Sequence, residues 1–138
     1  MVNIIKDIID VAKALFGLKE SLAKANKEKR EEMANYFSSI STCLAETYEK
    51  LSDNIIPHGR CAELLTYAES LHDTVGNFIS DQKANELSQL LARSHSVEGL
   101  WEEFNANPEK RNELHLIAEA SGIFLALSNS IHAGYKPD

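Results

Sequence analysis

Through most of this chain apolar residues recur every three or four positions, with polar residues between them. In NIIKDIIDVAKALFG the apolar positions are Ile4, Ile5, Ile8, Ile9, Val11, Ala12, Leu15 and Phe16. That spacing gives a helix one broad apolar face, interrupted along the sequence by Lys6, Asp7, Asp10 and Lys13. Asn3 suits the N-cap, because its side chain can accept a hydrogen bond from an orphan backbone N–H. Gly17 followed by Leu18 has the form of a glycine stop. The alternative is a helix that runs on to about Ala25, with Leu18 and Leu22 on the same face and Gly17 a defect of about 1 kcal/mol. The continuity of the apolar face favours the longer helix.

A charge run, Lys24 to Glu32, follows, and a turn at Asn26 is expected inside it. The next stripe is Met33, Phe37, Ile40, Leu44, Thr47 and Leu51, whose steps alternate four and three as in a heptad seam. It ends in the polar cluster Ser52 to Asn54. A third stripe holds Cys61, Leu64, Leu65, Ala68, Leu71, Val75, Phe78 and Ile79. Ser80 or Asp81 caps a fourth helix with Ala84, Leu87, Leu90 and Leu91 on one side. Ser94 to Ser96 form a joint before a short helix that turns Val97, Leu100, Trp101 and Phe104 inward. Asn107 as N-cap with Pro108 at the first helical position starts the last helix, since proline has no N–H to leave unbonded there. It runs to about Ala133, where Gly134 and Tyr135 repeat the glycine stop.

The centre of the last helix, ASGIFLALS, is apolar nearly all round. Such a helix is either the middle of a bundle or a contact with another chain. Gly122 is read as a point where a neighbouring backbone comes close. No strand-like alternation with turn dipeptides, repeat or linker interrupts the series. The expected fold is all-α: one domain over 1–138, an antiparallel bundle of four main helices plus one or two short ones, with residues 1–25 a separable amphipathic helix.

Composition agrees with a globular domain, 43% apolar and 25% charged, and its 138 residues suffice for a core without disulfides. The net charge of −7 argues against nucleic acid, which needs a basic face. Residues 1–32 carry +1 and the remainder −8, so the N-terminal arm differs electrostatically from the body. No apolar signal core or run of membrane-spanning length is visible, and a cytoplasmic location with reduced Cys43 and Cys61 is the expectation.

Candidate chemistry begins at PHGRC, Pro57 to Cys61. His58 and Cys61 are two potential zinc ligands, but a site needs about four. Cys43 and Cys61 lie at levels about 9 Å apart in an antiparallel hairpin, too far for an undistorted disulfide. Arg60 and a helix start would lower the Cys61 thiol pKa, whereas burial in its apolar stripe would raise it. The segment reads as the way a helix begins. Glu69 and His72 form one E-x-x-H pair, where di-iron bundles need two such pairs and two further carboxylates. Arg111 and His115 have the residue types of the paired Arg and His of helical HEPN ribonucleases, but three residues separate them where those enzymes leave four to six.

These observations lead to a non-enzymatic helical protein–protein interaction module, an adaptor or a signalling or regulatory domain, without cofactor or metal. Its expected partners are proteins, a second copy of the chain among them, and not nucleic acid. The alternative is a membrane-perturbing bundle acting through helix 1, which at the level of architecture looks like the helical domains of cell-death effectors. An amphipathic helix ordinarily packs such a face into its own bundle; where helix 1 instead meets a partner or a membrane, Ile4, Ile5, Ile8, Ile9, Leu15 and Phe16 are the expected contacts.

Overall fold

The computed structural model describes residues 4–55, 60–93 and 106–134, and six α-helices lie wholly within them. They are α1 (Ile4–Phe16), α2 (Lys19–Ala23), α3 (Lys27–Ser52), α4 (Arg60–Val75), α5 (Asp81–Arg93) and α6 (Leu114–Ala133), with a 3₁₀ turn over Pro108–Glu113 leading into the last. No strand occurs among the described residues, and the all-α expectation holds. The predicted joint at Ser94–Ser96, the short helix around Trp101, and Pro57 to Gly59 lie outside them.

The N-terminal helix does not run on to Ala25. Gly17 N–H still bonds to the Lys13 carbonyl at 3.0 Å, but Leu18 N–H reaches only to Leu15, also at 3.0 Å. This tightened turn ends α1 and separates it from α2. The break falls at glycine because glycine contributes least to helix propagation after proline. Gly17 is not left-handed, so the stop differs from the glycine motif as well; among the described glycines only Gly134, the C-cap of α6, has a positive φ.

Asn26 is the N-cap of α3, accepting a hydrogen bond from Lys29 N–H at 2.8 Å. The far end of α3 closes on Asn54, whose φ of 60° is left-handed. Asn54 N–H bonds to the Leu51 carbonyl at 3.1 Å and Ile55 N–H to the Lys50 carbonyl at 2.7 Å. This is the paired C-terminal motif with asparagine in glycine's usual place. Arg111 Nη2 adds bonds to the Leu51 and Ser52 carbonyls at 2.9 and 3.1 Å, tying the start of the last segment to the end of α3. Ser80 caps α5 through Lys83 N–H at 3.1 Å. The last helix starts differently from expectation. Asn107 makes no side-chain cap, and the residues from Pro108 to Glu113 are 3₁₀ before α6 begins at Leu114. Short 3₁₀ turns are common at helix N-termini, and proline's fixed φ suits either geometry.

One cluster of buried residues joins the described helices. It includes Ile8, Leu15, Met33, Phe37, Ile40, Leu44, Leu51, Leu71, Val75, Leu91, Ile117, Phe124, Leu127 and Ile131. α6 packs on α3, α1 and α2; α5 packs on α4 and α1. α3 and α6 run antiparallel at close range. Ser41 Oγ donates to the Ser121 carbonyl and Ser121 Oγ to the Ser41 carbonyl, both at 2.8 Å, while one turn pair away Ser128 Oγ donates to the Ala34 carbonyl at 2.7 Å. Serines in place of larger residues let the two backbones approach, and each buried hydroxyl is satisfied by the facing helix. Between these points Phe37 and Phe124 stack with centroids 6.2 Å apart. On the other side of α3, Tyr36 donates its hydroxyl to the Tyr67 carbonyl of α4. Ser88 Oγ joins α5 to the Ala68 carbonyl at 2.6 Å.

Candidate functional site

The outward side of α6 is where the helix has more apolar surface than its neighbours cover. Leu114, Ile117, Ala120, Phe124, Leu127 and Ile131 point into the core. Between His115 and Asn129 the exposed positions are Glu119, Gly122, Leu125 and Ala126, with Ala118 and Ile123 half-buried beside them. Leu125 is 47% exposed; the only other large apolar side chain so exposed among the described residues is Ile55, after α3. Arg111–Ala133 is long and apolar enough, by length and composition, to cross a membrane, which qualifies the expectation that no segment has that character. Only 44% of its most apolar 18-residue window is buried. The core helix of a soluble bundle passes the same test, and here Ser121 and Ser128 are bonded to α3.

Where the end of α1 meets α6 the surface opens into a groove of about 410 Å³. Gly122, Ile123 and Ala126 of α6 line one side, and Phe16 and Gly17 the other. Lys13 and Glu119 complete the lining with opposite charges. A β-carbon on Gly122 would meet nothing within 4 Å. The expectation that Gly122 admits a neighbouring backbone is therefore not met within this chain: the close crossing lies at Ser121, one residue and about 100° away around the helix. Lys19 Nζ lies 4.2 Å from the Phe16 ring centroid and covers part of its apolar face.

Of the six expected contact residues, Ile5, Ile8, Ile9 and Leu15 are core residues packed within the bundle. Ile4 begins α1, and its side chain lies outside the described residues. Phe16, half-buried, is the one that reaches the groove. Returning Ile5, Ile8, Ile9, Val11 and Leu15 to water would cost on the order of 10 kcal/mol, comparable to the whole stability of a typical domain. Lys13, Glu119, Leu125 and Ala126 did not stand out singly in the sequence. Their signal was the apolar run around α6, which was legible, although the side left uncovered was not.

The other candidates are dispersed. Cys43 is buried, and the His58 and Cys61 side chains lie outside the described residues. Glu69 is exposed on α4, while His72 Nε2 lies 3.3 Å from Asp81 across the α4–α5 turn. Gly76 makes that turn, and a β-carbon there would collide with the His72 carbonyl oxygen. Arg111 is engaged with α3, and His115 Nδ1 lies 2.7 Å from the Asn112 carbonyl. No three His, Cys, Asp or Glu side chains converge among the described residues. Burial raises the pKa of the Tyr36 phenol, and the neighbouring Tyr67 raises it further. This tyrosine braces α3 against α4. Comparison with known proteins adds no assignment: no family model matches the chain, and neither a curated protein nor a solved structure shows significant similarity to it.

Proposed function

We propose that this chain is a helical protein–protein interaction module, non-enzymatic, that engages a partner protein through the outward face of α6 and the adjoining groove. The observation that carries the reading is the unpolarised solvent side of α6 at Gly122, Leu125 and Ala126. A helix packed on one side alone ordinarily carries charged and polar residues on the other. An exposed apolar surface beside a concave one is the usual form of a protein contact. The membrane reading through α1 rests on its amphipathic sequence and requires detaching a core helix; leakage from liposomes on addition of the full chain would establish it.

The test is site-directed photocrosslinking in the cell of origin, with Leu125→p-benzoylphenylalanine set against the same substitution at Glu31, on the outer face of α3. A discrete protein adduct at position 125 and none at position 31 is expected. Equal labelling at the two positions, or none at either, overturns the reading.

A further inference from the structure

We propose that the occupant of this face is a second copy of the same chain, docked antiparallel about a two-fold axis with Leu125 of each copy seated over Gly122 of the other. The inference rests on the interaction reading above and names its partner.

Three features of the face make it self-complementary, as a two-fold contact requires. First, a projection and a recess lie three residues apart on one helix. Leu125 stands 47% exposed, and Gly122 leaves open space where a side chain would be. When a helix is turned end for end about the midpoint of residues 122 and 125, each projection meets the other copy's recess. Second, the same operation pairs Ala118 with Asn129 and His115 with His132, so no like-charged Lys, Arg, Asp or Glu residues face one another along the seam. Third, the groove beside the seam carries one charge of each sign, Lys13 from α1 and Glu119 from α6. Neither has an ion-pair partner among the described residues. A two-fold axis lying in the interface keeps both on the same lateral side in each copy, so charges of both signs from the two chains flank that side of the seam. The remainder of the chain after residue 32 carries −8, so charge repulsion disfavours most other pairings of two copies and leaves this locally neutral face as the favourable one.

The experiment is sedimentation velocity with light scattering on the purified full chain, from nanomolar to high micromolar concentration. The expected species at the upper end has twice the 15.4 kDa chain mass. Gly122→Leu fills the recess. Because that position is open within one copy, the variant should fold at least as well as the parent, with an unchanged or higher melting temperature, yet weaken the dimer by about a hundredfold. Lys13→Glu and Glu119→Lys should each weaken it by about tenfold, and the double variant should recover most of that loss, since charges of both signs then flank the seam again. A dimer indifferent to Gly122→Leu, or a double variant as weak as the product of its parts, overturns the proposal. So does a parent chain that stays monomeric throughout. In that last case an adduct with a different protein at position 125 leaves the interaction reading standing, whereas no adduct removes both.

Discussion

α3 and α6 are the two long helices of this bundle, packed antiparallel against each other, and they treat water in opposite ways. α3 shows Glu28, Glu31, Glu32, Asn35, Ser39, Thr42 and Glu49 to solvent. α6 has a single Asp, Glu, Lys or Arg in its 20 residues, Glu119. Both bury one apolar stripe in the same core. The difference lies in the second side, and it teaches that the apolar content of a helix and its burial are separate quantities. For α3 the two agree; for α6 the surplus lies outside, at the groove.

The sharpest way to break the comparison uses two neighbours in α6 that point to opposite sides. Phe124→Ala removes the ring stacked on Phe37 and should cost about 3–5 kcal/mol in urea unfolding. Leu125→Ala should change stability by no more than about 0.5 kcal/mol under conditions where the chain is monomeric. Equal losses would show that the outward side is structural after all.

The close crossing is the next target. Ser121→Leu forces a large side chain between backbones held at serine distance and should cost about 1–3 kcal/mol, measured in the same way. A smaller effect would mean that α3 and α6 can separate without penalty.

Tyr36 tests the side of α3 turned to α4. Tyr36→Phe removes the hydroxyl bonded to the Tyr67 carbonyl and should cost about 1 kcal/mol at neutral pH. Its pKa is raised in the folded state, so the stability it contributes is complete below its ordinary value of 10.0. Above that pH the unfolded chain loses the proton first, and stability falls. Parent and variant should therefore converge as pH rises past that value, which urea midpoints at alkaline pH would follow.

A pair of glycine substitutions sharpens the comparison from the opposite direction. Gly122→Ala should stabilise the monomer by about 0.8 kcal/mol, because its β-carbon meets nothing and the helix gains propensity. The same substitution at Gly134 should destabilise, since φ there is 84° and Arg30 lies 3.2 Å from the added carbon. Thermal melts of the two variants would show opposite signs.

Much of this architecture is legible residue by residue. The stripe from Met33 to Leu51 is buried along its whole length, and Asn26, Ser80 and Gly134 cap the helices they border. These features depend on contacts three or four residues apart, the range over which helix periodicity and capping act. Gly17 was legible as a possible stop, but the choice between a break there and a continuous helix was not, nor was the 3₁₀ turn after Pro108, because several backbone geometries satisfy the same short pattern. The reciprocal bonds of Ser41 and Ser121 were hidden as well: a serine in an apolar run does not announce that a partner 80 positions away will satisfy it.

The groove shows the same division more plainly. By itself the sequence determined that α6 carries apolar residues around most of its circumference, and that helix 1 has a broad greasy face. Only the tertiary structure decided that α1 buries Ile5, Ile8 and Ile9 in the core, while α6 keeps Gly122, Leu125 and Ala126 outside. Periodicity is set by bonds along one helix, whereas the number of neighbours a helix gathers is set by how all the helices fill a shared volume. A side left uncovered is thus a property of the assembly, and no local pattern along α6 could have pointed to it.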